Sequence, residues 1–181
     1  MILTGRIKPA ATNGTAPRLP KQRTGSLDWG AHSDERKSVM SVQLNPYLNF
    51  ADGHAREAME FYASVLGGTP TFMTFGDMGT EGPVAQQVMH GQLETPDGFT
   101  LMGADAPPEF VQMTFGDNVS VSISGTDAEK MTGWFEALSQ DAQAVTMPLA
   151  KQMWGDVFGS FKDRFGINWL FNIAQESQAS R

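Results

Sequence analysis

His90 and Asp105 are spaced so that a base and an acid could share one surface of this 181-residue chain. They flank a hairpin-like segment, "QQVMHGQLE" (86–94), "TPDG" and "FTLMGAD" (99–105). If "TPDG" is a four-residue loop, Glu94 pairs with Phe99, Gln92 with Leu101 and His90 with Gly103. Opposed residues share a face, and period-two alternation adds Asp105 to it. An imidazole near a carboxylate can serve as general base or hydrogen-bond donor to a ligand. Equally, Asp105 can do no more than satisfy His90, or cap the turn before "APPEF". Tyr47 shares the face of Asn45 by the same alternation, and its hydroxyl can orient a ligand or close a core contact. His54 falls at a helix start, in solvent.

A second concentration of chemistry is aromatic. "QMWGDVFGSFKDRFGINWLFN" (152–172) holds two of the four tryptophans and four phenylalanines. The same hairpin count, turning at "DRFG", pairs Phe158 with Phe171 and Ser160 with Trp169. Phe158, Trp169 and Phe171 are then expected to line a cavity half polar and half aromatic, or else to be core. Trp154, just before Gly155, suits a lid over that cavity or a contact on a dimer partner. Eleven methionines suit an adaptable apolar interior.

The elements that position these residues repeat. "LNPYLNF" (44–50) predicts a strand, with proline tolerable at its entrance. "DGHAREAMEFYASVLGG" (52–68) predicts a helix: Asp52 as N-cap, an apolar stripe through Ala55, Ala58, Met59, Tyr62, Val65 and Leu66, and a Gly-Gly stop. Strands at 69–75, 86–94 and 99–105 follow, with "GDMGTEGPVA" (76–85) as a mobile loop that lacks the lysine and following helix of a phosphate cradle. The order then recurs: strand 118–125, helix 126–140 capped by Thr126 or Asp127, and strands at 144–150, "DVFGSFK" and "INWLFN". Asn45 to Asn118 is 73 residues and Gly98 to Gly166 is 68. A tandem βαβββ duplication of the α+β class is expected.

Composition narrows the function classes. Residues 1–40 carry seven Lys/Arg and three Asp/Glu, net +4; the other 141 carry six and seventeen, net −11. An acidic body opposes nucleic-acid binding, whose affinity comes largely from phosphate neutralisation. No apolar run reaches the length of a membrane-spanning helix. The absence of cysteine removes disulfides, thiolate metal sites and cysteine nucleophiles together. The start lacks a continuous apolar signal segment, and a cytoplasmic location is expected. Residues 1–40, rich in Pro, Gly and Thr, are expected to be a disordered or extended leader, with Met40 as a candidate native start. One domain over 41–175 follows, with modules at 41–110 and 111–175 and a tail at 176–181.

The segments "NPYLNF" (45–50), "AMEFYASVLGG" (58–68), "MHGQL" (89–93), "VSISG" (121–125) and "VTMPLAKQMWGDVFGSFKDRFGINWLFN" (145–172) resemble the vicinal oxygen chelate superfamily of glyoxalases, bleomycin-resistance proteins and extradiol dioxygenases. The PhnB-like branch is the nearer match. The resemblance implies modules that curl their sheets around a cavity, a homodimer, a small-molecule ligand and, in many members, a divalent metal held by His and Glu. Its metal positions, on the first and last strand of each module, fall on Asn45, Gly103, Asn118 and Phe171. None of these is a ligand for Zn, Ni or Fe. No glycine-rich cofactor loop suits S-adenosylmethionine.

The expected function is therefore metal-independent and cofactor-free small-molecule binding. Asn45, Tyr47, His90, Asp105, Trp154, Phe158, Trp169 and Phe171 are the candidate ligand-binding residues. The alternatives are a lyase or isomerase with His90 as general base and a weakly held divalent metal, or a structural dimer with an empty cavity. Nucleic-acid and membrane partners are not expected.

Overall fold

The computed structural model describes residues 42–175; the expected leader and tail, 1–40 and 176–181, lie outside the described residues. Two βαβββ modules follow in order. The first comprises β1 (Tyr47–Phe50), α1 (Ala55–Leu66), β2 (Thr71–Thr74), β3 (Val88–Glu94) and β4 (Thr100–Asp105). The second comprises β5 (Val121–Gly125), α2 (Ala128–Leu138), β6 (Ala144–Lys151), β7 (Val157–Lys162) and β8 (Asn168–Ile173). Each module forms one four-stranded mixed sheet, ordered β1-β4-β3-β2 and β5-β8-β7-β6. The first strand of each runs parallel to the last, and the remaining pairs are antiparallel.

Local chemistry explains the element ends. β1 begins at Tyr47 and not at Leu44, since Pro46 has no N–H for the ladder and contributes only its carbonyl, which accepts from Met102 N at 3.1 Å. Asp127 caps α2 by accepting from Lys130 N at 3.1 Å. For α1 the expected Asp52 cap is incorrect. Asp52 sits in the preceding turn at φ 57°, and the N-cap residue is His54, which makes no side-chain cap bond. The first helical N–H, on Ala55, instead donates to the distant Asp105 carboxylate at 2.8 Å. The Gly-rich segment between β2 and β3 forms two short 3-10 turns, Gly76–Met78 and Pro83–Gln86.

Ala55, Ala58, Met59, Tyr62 and Leu66 of the expected α1 stripe are buried and Val65 is half-buried; in α2, Met131, Phe135 and Leu138 are buried. Both stripes join one core with Leu48, Phe50, Leu93, Leu101, Phe161, Trp169 and Phe171. Each fully buried large apolar side chain contributes about 1.5–3 kcal/mol.

One polar network ties the modules together through that core. Asp163 is fully buried. Its Oδ2 accepts from Tyr62 Oη at 2.6 Å and Trp169 Nε1 at 2.9 Å. Its Oδ1 accepts from the Phe165 and Ile167 amides, both at 2.9 Å. Burial, and then the charge of Asp163, push the Tyr62 phenol well above its ordinary 10.0. A raised pKa means the folded state holds this proton more tightly. The contribution is therefore intact below pH 10.0 and is lost as pH climbs above it toward the folded value. Replacing Tyr62→Phe should lower unfolding stability by about 1–3 kcal/mol in chemical denaturation. An unchanged midpoint would show that the bond adds nothing net.

Candidate functional site

The register of the two closing hairpins decides which side chains can meet a ligand, and it differs by one residue from the sequence expectation. Glu94 pairs with Thr100, Gln92 with Met102 and Gly91 with Gly103; in module two Phe158 pairs with Asn172, Gly159 with Phe171 and Phe161 with Trp169. The turn chemistry accounts for it. Thr95 N–H donates to Phe99 O at 3.0 Å and Asp163 N–H to Ile167 O at 2.9 Å, so each loop has three residues, 96–98 and 164–166. Gly98 and Gly166, at φ 83° and 87°, take the left-handed position that such loops need. A one-residue slip exchanges the two faces of every strand.

Three expected cavity residues consequently belong to the core. Trp169 and Phe171 are 1% and 0% exposed on the helix-covered faces, although Trp169 also borders a groove described below. Asp105 is also on the helix side, 5% exposed, accepting from Ala55 N at 2.8 Å and Val88 N at 2.6 Å. It secures the start of α1, where a carboxylate meets the positive end of the helix dipole. It neither faces His90 nor caps a loop.

Other candidates do converge. Tyr47 and His90 stand on the open face of the first sheet. Tyr47, on edge strand β1, reaches over β4 so that its hydroxyl lies 3.2 Å from His90 Nδ1, with ring centroids 5.7 Å apart. Partial burial raises the Tyr47 pKa and keeps the phenol protonated. Asn49, Gln92 and Met102 share this face by alternation, as does Glu94, which accepts from Gln92 Nε2 at 2.8 Å. Phe158 lies on the open face of the second sheet, its ring 6.0 Å from that of the exposed Trp154. Among the described residues, no hydrogen bond or ring contact joins these two groups within the chain.

Asn45 and Tyr47 also line a groove of about 560 Å³ between edge strands β1 and β5. Leu66, Phe99, Val121 and Trp169 give it an apolar floor and walls. The tie from Tyr62 to Asp163 was not anticipated. An aspartate opening an Asp-x-x-Gly turn, with a tyrosine on an apolar helix stripe, is the signal that could have suggested it.

The divalent metal implied by the superfamily does not fit this donor set. Phe171 is core, and a Cβ at Gly103 would stand 2.9 Å from Leu48 O, so neither position can present a ligand. The open-face positions that the true register supplies on β4 and β8 are Thr100, Met102, Ala104, Asn168, Leu170 and Asn172. They offer no imidazole or carboxylate. Among the described residues, no three His, Asp or Glu side chains cluster as a metal site.

Paired βαβββ modules with mixed, open sheets define the glyoxalase/bleomycin-resistance fold of the vicinal oxygen chelate superfamily. Residues 42–171 match the family model described as 3-demethylubiquinone-9 3-methyltransferase, and the chain belongs to this PhnB-like family. It is 34% identical to protein PA1353 of Pseudomonas aeruginosa, covering 75% of this chain and 100% of that one at a TM-score of 0.67. To a Bacillus cereus PhnB protein, described as a putative 3-demethylubiquinone-9 3-methyltransferase, it is 27% identical over 74% of this chain and 100% of that one, TM-score 0.58. Protein YjdN of Escherichia coli is 24% identical over 147 residues, 75% of this chain and 97% of that protein.

Two substitutions test these placements. Asp105→Ala should destabilise the fold by about 1–3 kcal/mol for each amide it leaves unpaired, read as a lower denaturation midpoint. Gly103→Ala should cost about 1–3 kcal/mol through overpacking against Leu48 and Phe50, measured in the same way.

Proposed function

We propose that this chain is a PhnB-like small-molecule-binding protein that acts without a divalent metal, as a cytoplasmic homodimer. The observation that carries the reading is the Tyr47 and His90 pair: two hydrogen-bonding groups held together on an open sheet face. With Tyr47 donating to Nδ1, His90 carries its proton on Nε2 and offers one N–H to a ligand. A two-fold dimer would set this face against the partner's Trp154 and Phe158, closing a cavity that one chain leaves open. An uncharged ligand with an aromatic part suits that combination. Binding is favoured over lyase or isomerase chemistry because Asp105, the carboxylate expected beside His90, is engaged on the other side of the sheet. Among the described residues no helix is long and apolar enough to cross a membrane. The body's acidity argues against a nucleic-acid partner.

Sedimentation should give twice the chain mass, and elemental analysis of fresh protein should find no stoichiometric zinc, nickel or iron. A thermal-shift screen of neutral aromatic compounds should give hits that His90→Ala weakens about fivefold, roughly the 1 kcal/mol of one hydrogen bond. A stoichiometric divalent metal, or hits indifferent to His90→Ala, overturns the reading.

A further inference from the structure

We infer that the open face of the first sheet holds a site for a soft monovalent metal ion, Cu(I) or its analogue Ag(I), built from Met73, His90 and Met102. The three residues come from three adjacent strands, β2, β3 and β4, with His90 in the middle. Met73 and His90 are direct partners across β2 and β3, so their side chains rise from the same face. Met102 is paired with Gln92, one alternation along from His90, and meets it on the diagonal. Neighbouring strands lie about 4.8 Å apart, so two long thioether arms can bend from either side over the imidazole between them. Met73 is 42% exposed, so this side of the site is open to solvent.

Donor chemistry selects the metal. Thioethers are soft ligands that suit Cu(I), and imidazole suits copper too; the carboxylate on this face, Glu94, stands four residues along β3 from His90 and accepts from Gln92 Nε2 at 2.8 Å. Tyr47 is the positioning residue. In the tautomer opposite to the one that offers Nε2–H to an organic ligand, His90 Nδ1–H donates to Tyr47 Oη, 3.2 Å away, which leaves the Nε2 lone pair for the ion and holds the ring in place.

The site needs no organic ligand, so its test stands apart from the small-molecule reading. The full chain is titrated anaerobically with Cu(I) against the chromophoric chelator bicinchoninate. The expected result is withdrawal of one equivalent, with sulfur and nitrogen scatterers in the copper X-ray absorption spectrum and no displacement by equimolar Zn(II). The double variant Met73→Leu, Met102→Leu should abolish the withdrawal while its denaturation midpoint shows that it folds. Tyr47→Phe, which keeps all three ligands, should weaken binding about tenfold. Failure to withdraw copper overturns the proposal, as does unchanged binding in the double variant, which would place the copper on other methionines.

Discussion

The buried carboxylate of Asp163 is the interaction on which this architecture turns. Removing a charge from water costs several kcal/mol, and a carboxylate survives in a core only when donors occupy its lone pairs. Here four donors do so. Two are amides of its own turn, so the charge shapes the hairpin of β7 and β8. The third, Trp169, is brought from β8 into the core. The fourth is the Tyr62 hydroxyl of the other module's helix, so the same carboxylate that forms the turn also docks the two halves of the chain.

The duplication makes the asymmetry of that tie visible. The residue equivalent to Asp163 in the first module is Thr95, whose hydroxyl accepts from Phe99 N at 3.1 Å but reaches no other element. The equivalent of Tyr62 in α2 is Phe135, which packs edge-on against Phe161 and Phe171 with ring centroids 5.1 and 5.5 Å away. The Tyr62 side of the pseudo-symmetric pair thus crosses between modules through a polar bond, whereas these rings pack within module two. A specific hydrogen-bonded anchor between modules discriminates their native pairing from a slipped one, which apolar contact by itself does poorly.

The turns also sort chemistry from structure. With three-residue loops closing both hairpins, Trp169, Phe171 and Asp105 go to the helices, and Tyr47, His90, Met102 and Phe158 go to the open faces. A relative's metal-binding glutamate has no counterpart on either side: the helix-side position in the first module is a glycine pressed on backbone, and the open-side positions are amides, aliphatics, a threonine and a thioether. Around Tyr47 and His90 the open face of module one carries neutral hydrogen-bonding groups and thioethers, with the Glu94 carboxylate farther along β3.

Much of the fold was legible in the chain itself. Apolar periods of 3.6 and 2, glycine stops and the spacings of 73 and 68 residues suffice for two βαβββ modules and for nearly every core residue of both helices, because patterning is local and its period is set by backbone geometry. The facing of the hairpin residues was not legible. It depends on whether a turn closes with three residues or four, and the side-chain bonds of Thr95 and Asp163 that accompany the closure form only within the folded turn. Nor was the use of Asp105, which satisfies a helix start fifty residues earlier in sequence, or the union of Tyr47 with His90 across an intervening strand. Residue types determined what chemistry this protein can hold; the tertiary structure decided which groups share a face, because contacts distant in sequence exist only once the sheet has assembled.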